Sequence, residues 1–273
     1  MITDILVNFF HAGAVVFAGL FVLWAISVIA RNASFIDIYW GFGFLLVGAV
    51  CLYLINSKTD YIWLMGLMPI IWGARLTLYL AGRNLGHGED KRYVAMRKRA
   101  EKKGMGETAW RLRSLLTIYF GQGVLIMIVS APVWVAMATG QNIKTISTLA
   151  VIGAIMWLIG FLFEAVGDWQ LARFIKANKG YDGPIETKPV MDKGLWKYTR
   201  HPNYFGNALM WWGIWVAACA APFGWASIFA PLIMTFLLTR VSGRDLLERD
   251  MGRRQSYQDY MARTSGFIPL PPK

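Results

Sequence analysis

Cysteine and histidine are scarce in this sequence, which contains two cysteines and three histidines among 273 residues. Cys51 and Cys219 both fall within apolar stretches and lack the close spacing of metal ligands. We therefore expect neither a disulfide framework nor a metal site. The GxGxxG and Walker A signatures are also missing. Their absence excludes a Rossmann half and a P-loop, so any dinucleotide site must have another design.

Charged residues make up only 16% of the chain, whereas hydrophobic residues make up 56% and tryptophan occurs 13 times. Soluble domains carry about 25% charged residues, so this composition predicts an integral membrane protein. The net charge of +12 arises from Lys and Arg in the gaps between apolar segments. Membrane topology explains that placement better than a DNA-binding face does, and we expect no nucleic-acid partner.

Seven apolar segments approach the length of about 20 residues that a helix needs to cross a bilayer. The sequence thus predicts an all-α integral membrane protein with seven transmembrane helices. The segments cover residues 5–30, 35–55, 61–80, 115–138, 148–163, 204–220 and 227–238. The last two could instead form one re-entrant hairpin around residues 221–224. No repeat or long Gly/Ser-rich or Pro-rich linker divides the chain, so we expect a single domain over residues 1–273.

Lys and Arg are distributed unevenly among the polar segments between these spans. Residues 83–113 carry ten, residues 167–203 carry seven and residues 240–273 carry seven, whereas the opposite side has only Lys58 and Lys144. The positive-inside rule predicts that the two basic loops and the basic tail are cytoplasmic. With seven spans, the N-terminus then lies outside and the C-terminus lies in the cytoplasm.

The segment GLWKYTRHPNYFG, residues 194–206, is the strongest candidate for a ligand site. It places cations, aromatic rings and an amide directly before an apolar segment, a mixture that suits a ligand with phosphates, ribose and a ring. Pro202 fits the first turn of a helix, where free N–H groups can meet an anion. The alternative is a basic, aromatic membrane-boundary segment. The candidate side chains are Trp196, Tyr198, Arg200, His201, Asn203 and Tyr204.

The stretch FEAVGDWQLARFIK after the fifth predicted span supplies further candidate ligands. Glu164 and Asp168 are four residues apart and therefore share a helical face. Asp168 could accept from a ligand amide or ribose hydroxyl, with Arg173 and Lys176 approaching phosphate. Alternatively, Asp168 is simply solvated just beyond the membrane boundary.

Cations in two other segments are also candidate cofactor ligands. Arg240, Arg244 and Glu248 form a stripe with a spacing of four in the C-terminal tail. This stripe can line a pocket, or Arg244 and Glu248 can form an ordinary exposed ion pair. In the loop after the third predicted span, Arg92 or Arg97 can contact a cofactor, although a run of Lys and Arg is usually a solvated face.

Asp37 lies near the start of the second apolar segment, where a carboxylate is costly unless it is paired or wet. The obvious partner is Arg75 in the third segment. In a structural interpretation, Asp37 and Arg75 form a buried pair that fixes helix register. In a functional one, Asp37 together with Tyr39 presents a proton donor to a substrate oxygen.

Together, SFIDIYWGFGF, GDWQLARF, GLWKYTRHPNYFGN, SGRDLLE and YMARTSGFIP resemble the steroid 5α-reductase family, in its bacterial branch of membrane oxidoreductases, over residues 34–269. The RHPNYFG element, the most specific piece, is shared with the isoprenylcysteine methyltransferase superfamily. The resemblance implies a helical enzyme of the bacterial inner (cytoplasmic) membrane that binds NADPH from the cytoplasm. It implies hydride transfer to the β-carbon of an enone in a lipophilic substrate, such as a 3-oxo-Δ4-steroid or a related isoprenoid.

The resemblance also implies roles for particular residues. The family's cofactor-binding Asn-Tyr pair corresponds to Asn203 and Tyr204, its aspartate to Asp168 and its C-terminal arginine to Arg244. Trp196 and the pair Arg200 and His201 lie where the same loop wraps the nucleotide.

This sequence departs from the family pattern at the substrate. Family members hold the substrate carbonyl with a Glu from the second span and a Tyr from the third, where this chain has Asp37 and Trp72. Asn207 replaces the family's acid after NYFG. The resemblance therefore supports cofactor binding by this chain better than it supports specificity for a steroid. Asp37 or Tyr39 would hydrogen-bond the ketone while hydride is delivered.

Two other functions remain open on the sequence. A membrane methyltransferase using S-adenosylmethionine would share the RHPNY loop, but several arginines from separate loops suit the phosphates of NADPH better. A transporter or lipid-binding scaffold would predict internal repeats with broken helices. For the reductase we expect a lipophilic small molecule and membrane lipid as partners, no metal, and a monomer.

Overall fold

The computed structural model describes residues 1–86, 88–241 and 243–273, and over these residues the chain is helical without any strand. The all-α prediction is confirmed. Six stretches of the described chain are long and apolar enough to cross a membrane, which indicates a multi-pass membrane protein. They are Ile2–Ala30, Phe35–Leu54, Asp60–Asn84, Glu107–Val129, Thr148–Ala177 and Gly224–Arg249.

The chain forms two compact units, which are described separately. The first unit comprises Met1–Ala150 and Ala218–Ser227, and the second comprises Val151–Ala217 and Ile228–Lys273.

The first unit begins with three long helices, α1 (Ile2–Ala30), α2 (Phe35–Leu54) and α3 (Asp60–Asn84). α1 ends at Arg31, which adopts a left-handed conformation with φ 52°. The side chain of Thr59 caps α3 by accepting a hydrogen bond from the backbone N–H of Ile62.

Glycines allow α2 and α3 to pack backbone against backbone. A Cβ on Gly73 would lie 2.4 Å from the carbonyl oxygen of Gly41, and a Cβ on Gly48 would lie 2.8 Å from that of Gly66. Backbone atoms cannot rotate aside, so small residues are required at these contacts.

The stretch 83–113, predicted as a polar loop, is largely helical. α3 continues to Asn84, and two short helices follow, α4 (Lys91–Lys102) and α5 (Glu107–Ser114). Asp90 starts α4 by accepting a hydrogen bond from the backbone N–H of Arg92 at 2.8 Å.

The predicted span 115–138 is divided. A π-helical segment, Leu115–Phe120, leads into α6 (Gly121–Val129), and α7 (Ala131–Thr139) follows after Ser130. Pro132 lies in the first turn of α7, where its missing N–H costs nothing. Hydropathy does not reveal this break because both parts are apolar.

The second unit contains α8 (Thr148–Ala177), apart from its first three residues, and α9 (Pro202–Ala218) up to Ala217. It ends with α10 (Phe229–Phe236), the π-helical segment Leu237–Val241, α11 (Arg244–Met251) and α12 (Gln255–Arg263). The polar start of the predicted loop 167–203 is therefore part of α8.

Glycines at intervals of seven residues bring α8 and α9 together. A Cβ on Gly160 would lie 2.5 Å from the carbonyl oxygen of Gly206, and a Cβ on Gly153 would lie 2.4 Å from that of Gly213. This close antiparallel contact sets the distance between the polar end of α8 and the first turns of α9.

Candidate functional site

Amide and carboxylate side chains pair where the polar end of α8 meets the start of α9. Asn203 Nδ2 donates to Asp168 Oδ1 at 3.0 Å, and Asn203 Oδ1 accepts from the backbone N–H of Tyr204 at 3.0 Å. One turn further, Asn207 Nδ2 donates to Glu164 Oε2 at 3.2 Å. Both carboxylates are only 4% exposed. The structure therefore brings together three of the predicted cofactor ligands, Asp168, Asn203 and Tyr204.

Glu248 of α11 binds the two basic side chains that precede α9. Arg200 donates from Nε to Oε1 at 2.8 Å and from Nη2 to Oε2 at 3.0 Å, and His201 Nε2 lies 2.9 Å from Oε1. Arg200 Nη1 also donates to the carbonyl oxygens of Thr264 and Met261, at 2.5 and 3.2 Å. The guanidinium thus holds the loop against the C-terminal segment.

Arg240 and Arg244 of the tail share a different carboxylate, that of Asp245. Arg244 Nε lies 2.8 Å from Asp245 Oδ1, and Arg240 Nη1 lies 3.2 Å from Asp245 Oδ2. The alternative interpretation of an Arg244 and Glu248 pair is wrong, because Glu248 is bound by Arg200 instead. A guanidinium has five N–H donors, so Arg240 and Arg244 each keep donors for a phosphate.

The aromatic candidates differ in accessibility. Trp196 is 7% exposed and its indole N–H donates to the carbonyl oxygen of Gly167 at 3.0 Å, which makes it a packing residue. Tyr198 is 44% exposed. The Tyr204 ring lies parallel to the His201 ring, with 5.2 Å between centroids. Of these candidates, Tyr198 and Tyr204 are the aromatic side chains that the described structure leaves at least partly exposed.

Arg173 and Lys176 lie on the exposed part of α8. The Arg173 guanidinium is 5.0 Å from the centroid of the Trp169 ring, a cation–π contact, and Lys176 is exposed. Within the described chain, no hydrogen bond joins either side chain to α9. Their contact with phosphate stays a prediction.

Burial of His201 has a consequence for stability at acidic pH. Burial lowers the pKa of His201 below its ordinary value, and the charges of Arg200 and Arg244 act in the same direction, whereas Glu248 opposes them. The neutral ring is therefore the form that favours folding. Its contribution is complete above the unfolded pKa of about 6.5 and is lost as the pH falls through the lower folded-state pKa.

We therefore expect the thermal unfolding midpoint of the purified protein to decline more steeply below pH 6.5 than that of His201→Gln. The matched control is His11→Gln, since His11 is exposed on α1. Parallel pH profiles for the wild type and His201→Gln would contradict the assignment.

In the first unit, Asp37 is bound by two side chains of α4. Arg92 Nη2 donates to Oδ2 and Tyr93 OH donates to Oδ1, each at 2.7 Å. The expected partner was Arg75, but the Arg75 guanidinium lies over the Tyr79 ring and α4 supplies the partners of Asp37. The reason is that α4 folds back onto the start of α2, which the loop prediction did not include.

Tyr93 was missed by the sequence analysis, because a tyrosine within a run of cations gives no pattern of its own. Burial raises the pKa of Tyr93, and the charge of Asp37 raises it further, so its hydroxyl stays protonated and donates. Partial burial raises the pKa of Asp90, but the hydrogen bonds from Arg92 outweigh this effect and hold the pKa below its ordinary value. This cluster keeps the start of α4 next to Asp37.

Tyr39 lines an apolar groove of about 580 Å³ within the first unit. Its hydroxyl donates to the carbonyl oxygen of Val16 at 2.8 Å and packs against Gly19. Asp37 is not among the lining residues, so the groove contacts one of the two predicted catalytic side chains. The other lining residues are Gly19, Val22, Leu23, Ile26, Phe35, Ile38, Phe42, Thr77 and Leu85.

No group of three or more His, Cys, Asp or Glu side chains in the described part of the chain is arranged to hold a metal ion.

Comparison with known proteins gives a family. The family model described as "Protein of unknown function (DUF1295)" matches residues 23–264. That family is related to steroid 5α-reductase-like membrane proteins. A protein of Schizosaccharomyces pombe described as "Uncharacterized protein C594.04c" is 24% identical over 210 residues, which cover 70% of this chain. The chain spans 58% of the length of that relative. No solved structure matches.

Proposed function

We propose that this chain, which belongs to the DUF1295 family, is an NADPH-dependent reductase of an activated C=C bond in a lipophilic substrate. The substrate class is an enone lipid, such as a 3-oxo-Δ4-steroid or a related isoprenoid, and hydride is transferred to the β-carbon. The observation that carries the proposal is the start of α9, where Asn203 is fixed by Asp168 beside the Tyr204 ring.

The donors and acceptors of the second unit fit such a cofactor. Arg240 and Arg244 keep N–H groups for phosphate, and Tyr204 presents a ring. Asn207 Oδ1 is buried and has no hydrogen-bond donor among the described residues, so it can accept from a ligand amide or hydroxyl. When bound, NADPH supplies the hydride.

Three predicted ligands have a different role in this proposal. Trp196, Arg200 and His201 are buried and bonded to other parts of the second unit. They position the loop before α9, while Asn203 and Tyr204 contact the cofactor. Arg92 likewise forms an ion pair with Asp37, and we do not propose it as a phosphate ligand.

The groove beside Tyr39 supports the proposal that the substrate is lipophilic and enters laterally from the membrane. Its walls are almost entirely apolar, which favours a hydrocarbon ring system. Both oxygens of Asp37 already accept hydrogen bonds from Arg92 and Tyr93. We therefore propose Tyr39 as the donor to the substrate carbonyl, its single O–H turning to the substrate from the carbonyl oxygen of Val16. Asp37 would hold the start of α2 in place.

We also propose a topology of seven crossings in the bacterial inner membrane. α9, with 17 residues, is shorter than the other long helices and is the additional crossing. The N-terminus lies outside, and the segments rich in Lys and Arg, with the cofactor site, face the cytoplasm. The protein acts as a monomer with one domain.

Equilibrium binding to the detergent-purified protein tests the proposal. We expect NADPH to bind, and we expect Asn203→Ala and Arg244→Ala to weaken its binding by about tenfold or more, the effect of losing one hydrogen bond to a charged group. Arg249→Ala is the matched control, because Arg249 is an exposed arginine on the same helix as Arg244. That variant should bind NADPH as the wild type does.

Two outcomes would overturn the reductase proposal. Saturable binding of S-adenosylmethionine in place of NADPH would favour the methyltransferase, the second candidate, which the RHPNYFG element supports. Binding of neither cofactor would favour a transporter or lipid-binding scaffold. Retention of a monodisperse, folded protein in each variant separates lost binding from lost structure.

A further inference from the structure

A cavity of about 270 Å³ opens in the first unit where α1 ends against α4 and α5. Its charged lining residues are three arginines from separate elements, Arg31 after α1, Arg97 of α4 and Arg111 of α5, and two glutamates, Glu101 and Glu107. Pockets for drug-sized ligands measure about 300–1,000 Å³. This cavity is therefore too small for a dinucleotide and has the size for a single headgroup.

The guanidiniums of this cavity retain donors for an anion. Arg97 Nε is buried and has no acceptor within the described chain, while Arg97 Nη2 donates to Glu89 at 2.7 Å. Arg111 is paired with Glu107. Among the described residues no carboxylate forms an ion pair with Arg31. Arg31 is therefore a cation outside any ion pair of the described residues, and the cavity also has one buried N–H without an acceptor among them.

Exposed apolar side chains lie close in sequence to residues that line the cavity. Ile29 of α1 is 85% exposed, and Leu112 and Leu116 are 57% and 64% exposed. They neighbour the lining residues Arg31 and Arg111 in sequence. Since α1 and Glu107–Val129 are both candidate membrane spans, the cavity lies where a span ends and where headgroups meet acyl chains.

We propose that this cavity binds the phosphate of an anionic phospholipid, with the acyl chains along the flanking apolar side chains. General attraction to an anionic membrane needs only exposed cations. Here guanidiniums from separate elements enclose a cavity of headgroup size, and guanidinium geometry matches phosphate oxygens. This site is independent of the proposed reductase.

Native mass spectrometry of the purified full chain with phosphatidylglycerol and phosphatidylcholine tests this proposal. We expect the wild type to prefer phosphatidylglycerol and Arg31→Gln to reduce that preference about tenfold. Arg31 is chosen because it has no ion pair whose loss could unfold the protein. Lys98→Gln is the matched control, since Lys98 is an exposed cation of α4 that does not line the cavity. It should keep the wild-type preference.

Three results would overturn the assignment. Equal binding of the two lipids by the wild type would show that the cavity does not select an anionic headgroup. An equal loss of preference in Lys98→Gln would show that the preference for phosphatidylglycerol comes from general surface charge and not from this cavity. Displacement of phosphatidylglycerol by inorganic phosphate at a similar concentration would identify free phosphate as the ligand. An unchanged thermal unfolding midpoint of Arg31→Gln would show that the variant is folded.

Discussion

Replacement of Glu248 with glutamine is expected to lower the free energy of unfolding by about 3–5 kcal/mol, because Arg200 would remain buried without a carboxylate. The side chains of Arg200 and Glu248 are only 11% and 12% exposed, so water cannot compensate for the lost charge. His201 would also lose its charged acceptor. Denaturant titration of the purified protein, followed by tryptophan fluorescence, measures the change.

The control is Glu186→Gln, which removes an equal charge from an exposed position in the same unit. It should change stability by less than about 0.5 kcal/mol. In the double variant Arg200→Met with Glu248→Met, the buried charge is gone, so part of the stability should return. The return is incomplete, since Arg200 also donates to the carbonyl oxygens of Thr264 and Met261. A loss below about 1 kcal/mol in Glu248→Gln would contradict the buried-pair interpretation.

The same contact affects the proposed cofactor site through the loop before α9. Glu248 fixes His201, and the Tyr204 ring lies parallel to the His201 ring. Loosening that ring would misplace the aromatic face offered to a ligand. We therefore assign Glu248 a positioning role, which the sequence analysis did not give it.

The helical class and most of the long helices were predictable from hydropathy. The predicted span 5–30 agrees closely with Ile2–Ala30, and the predicted span 35–55 with Phe35–Leu54. The helix α4, which has few apolar residues, was not predicted. α4 consists mainly of charged residues, so its sequence looked like a solvated loop, and its contacts with Asp37 were missed for the same reason.

Proximity in the site was predictable only over short distances along the chain. Asn203 was selected because residues 194–206 suit a ligand, and Asp168 because a charge at the edge of a span is costly, but the hydrogen bond between them, 35 positions apart, was not predicted. The pairing of Arg200 with Glu248 joins residues 48 positions apart. Periodicity shows which residues share a helical face, and it carries no information on which separate elements meet.

Substitution of Gly206 by alanine is expected to disrupt the contact between α8 and α9. A Cβ at this position would lie 2.5 Å from the carbonyl oxygen of Gly160 and 2.5 Å from the backbone nitrogen of Glu164. Neither atom can move without its helix, so the helices must separate. Overpacking of this kind costs about 1–3 kcal/mol, and occasionally more.

Separation of α8 from α9 would also break the polar pairs on either side of Gly206. The bonds from Asn203 to Asp168 and from Asn207 to Glu164 both cross between these helices. We therefore expect Gly206→Ala to lower the thermal unfolding midpoint and to abolish NADPH binding, measured on the same preparation. Gly180→Ala is the control, because a Cβ there meets no atom within 4 Å. Wild-type stability and binding in Gly206→Ala would mean that the helices tolerate a wider spacing and that the glycines do not set the geometry of the site.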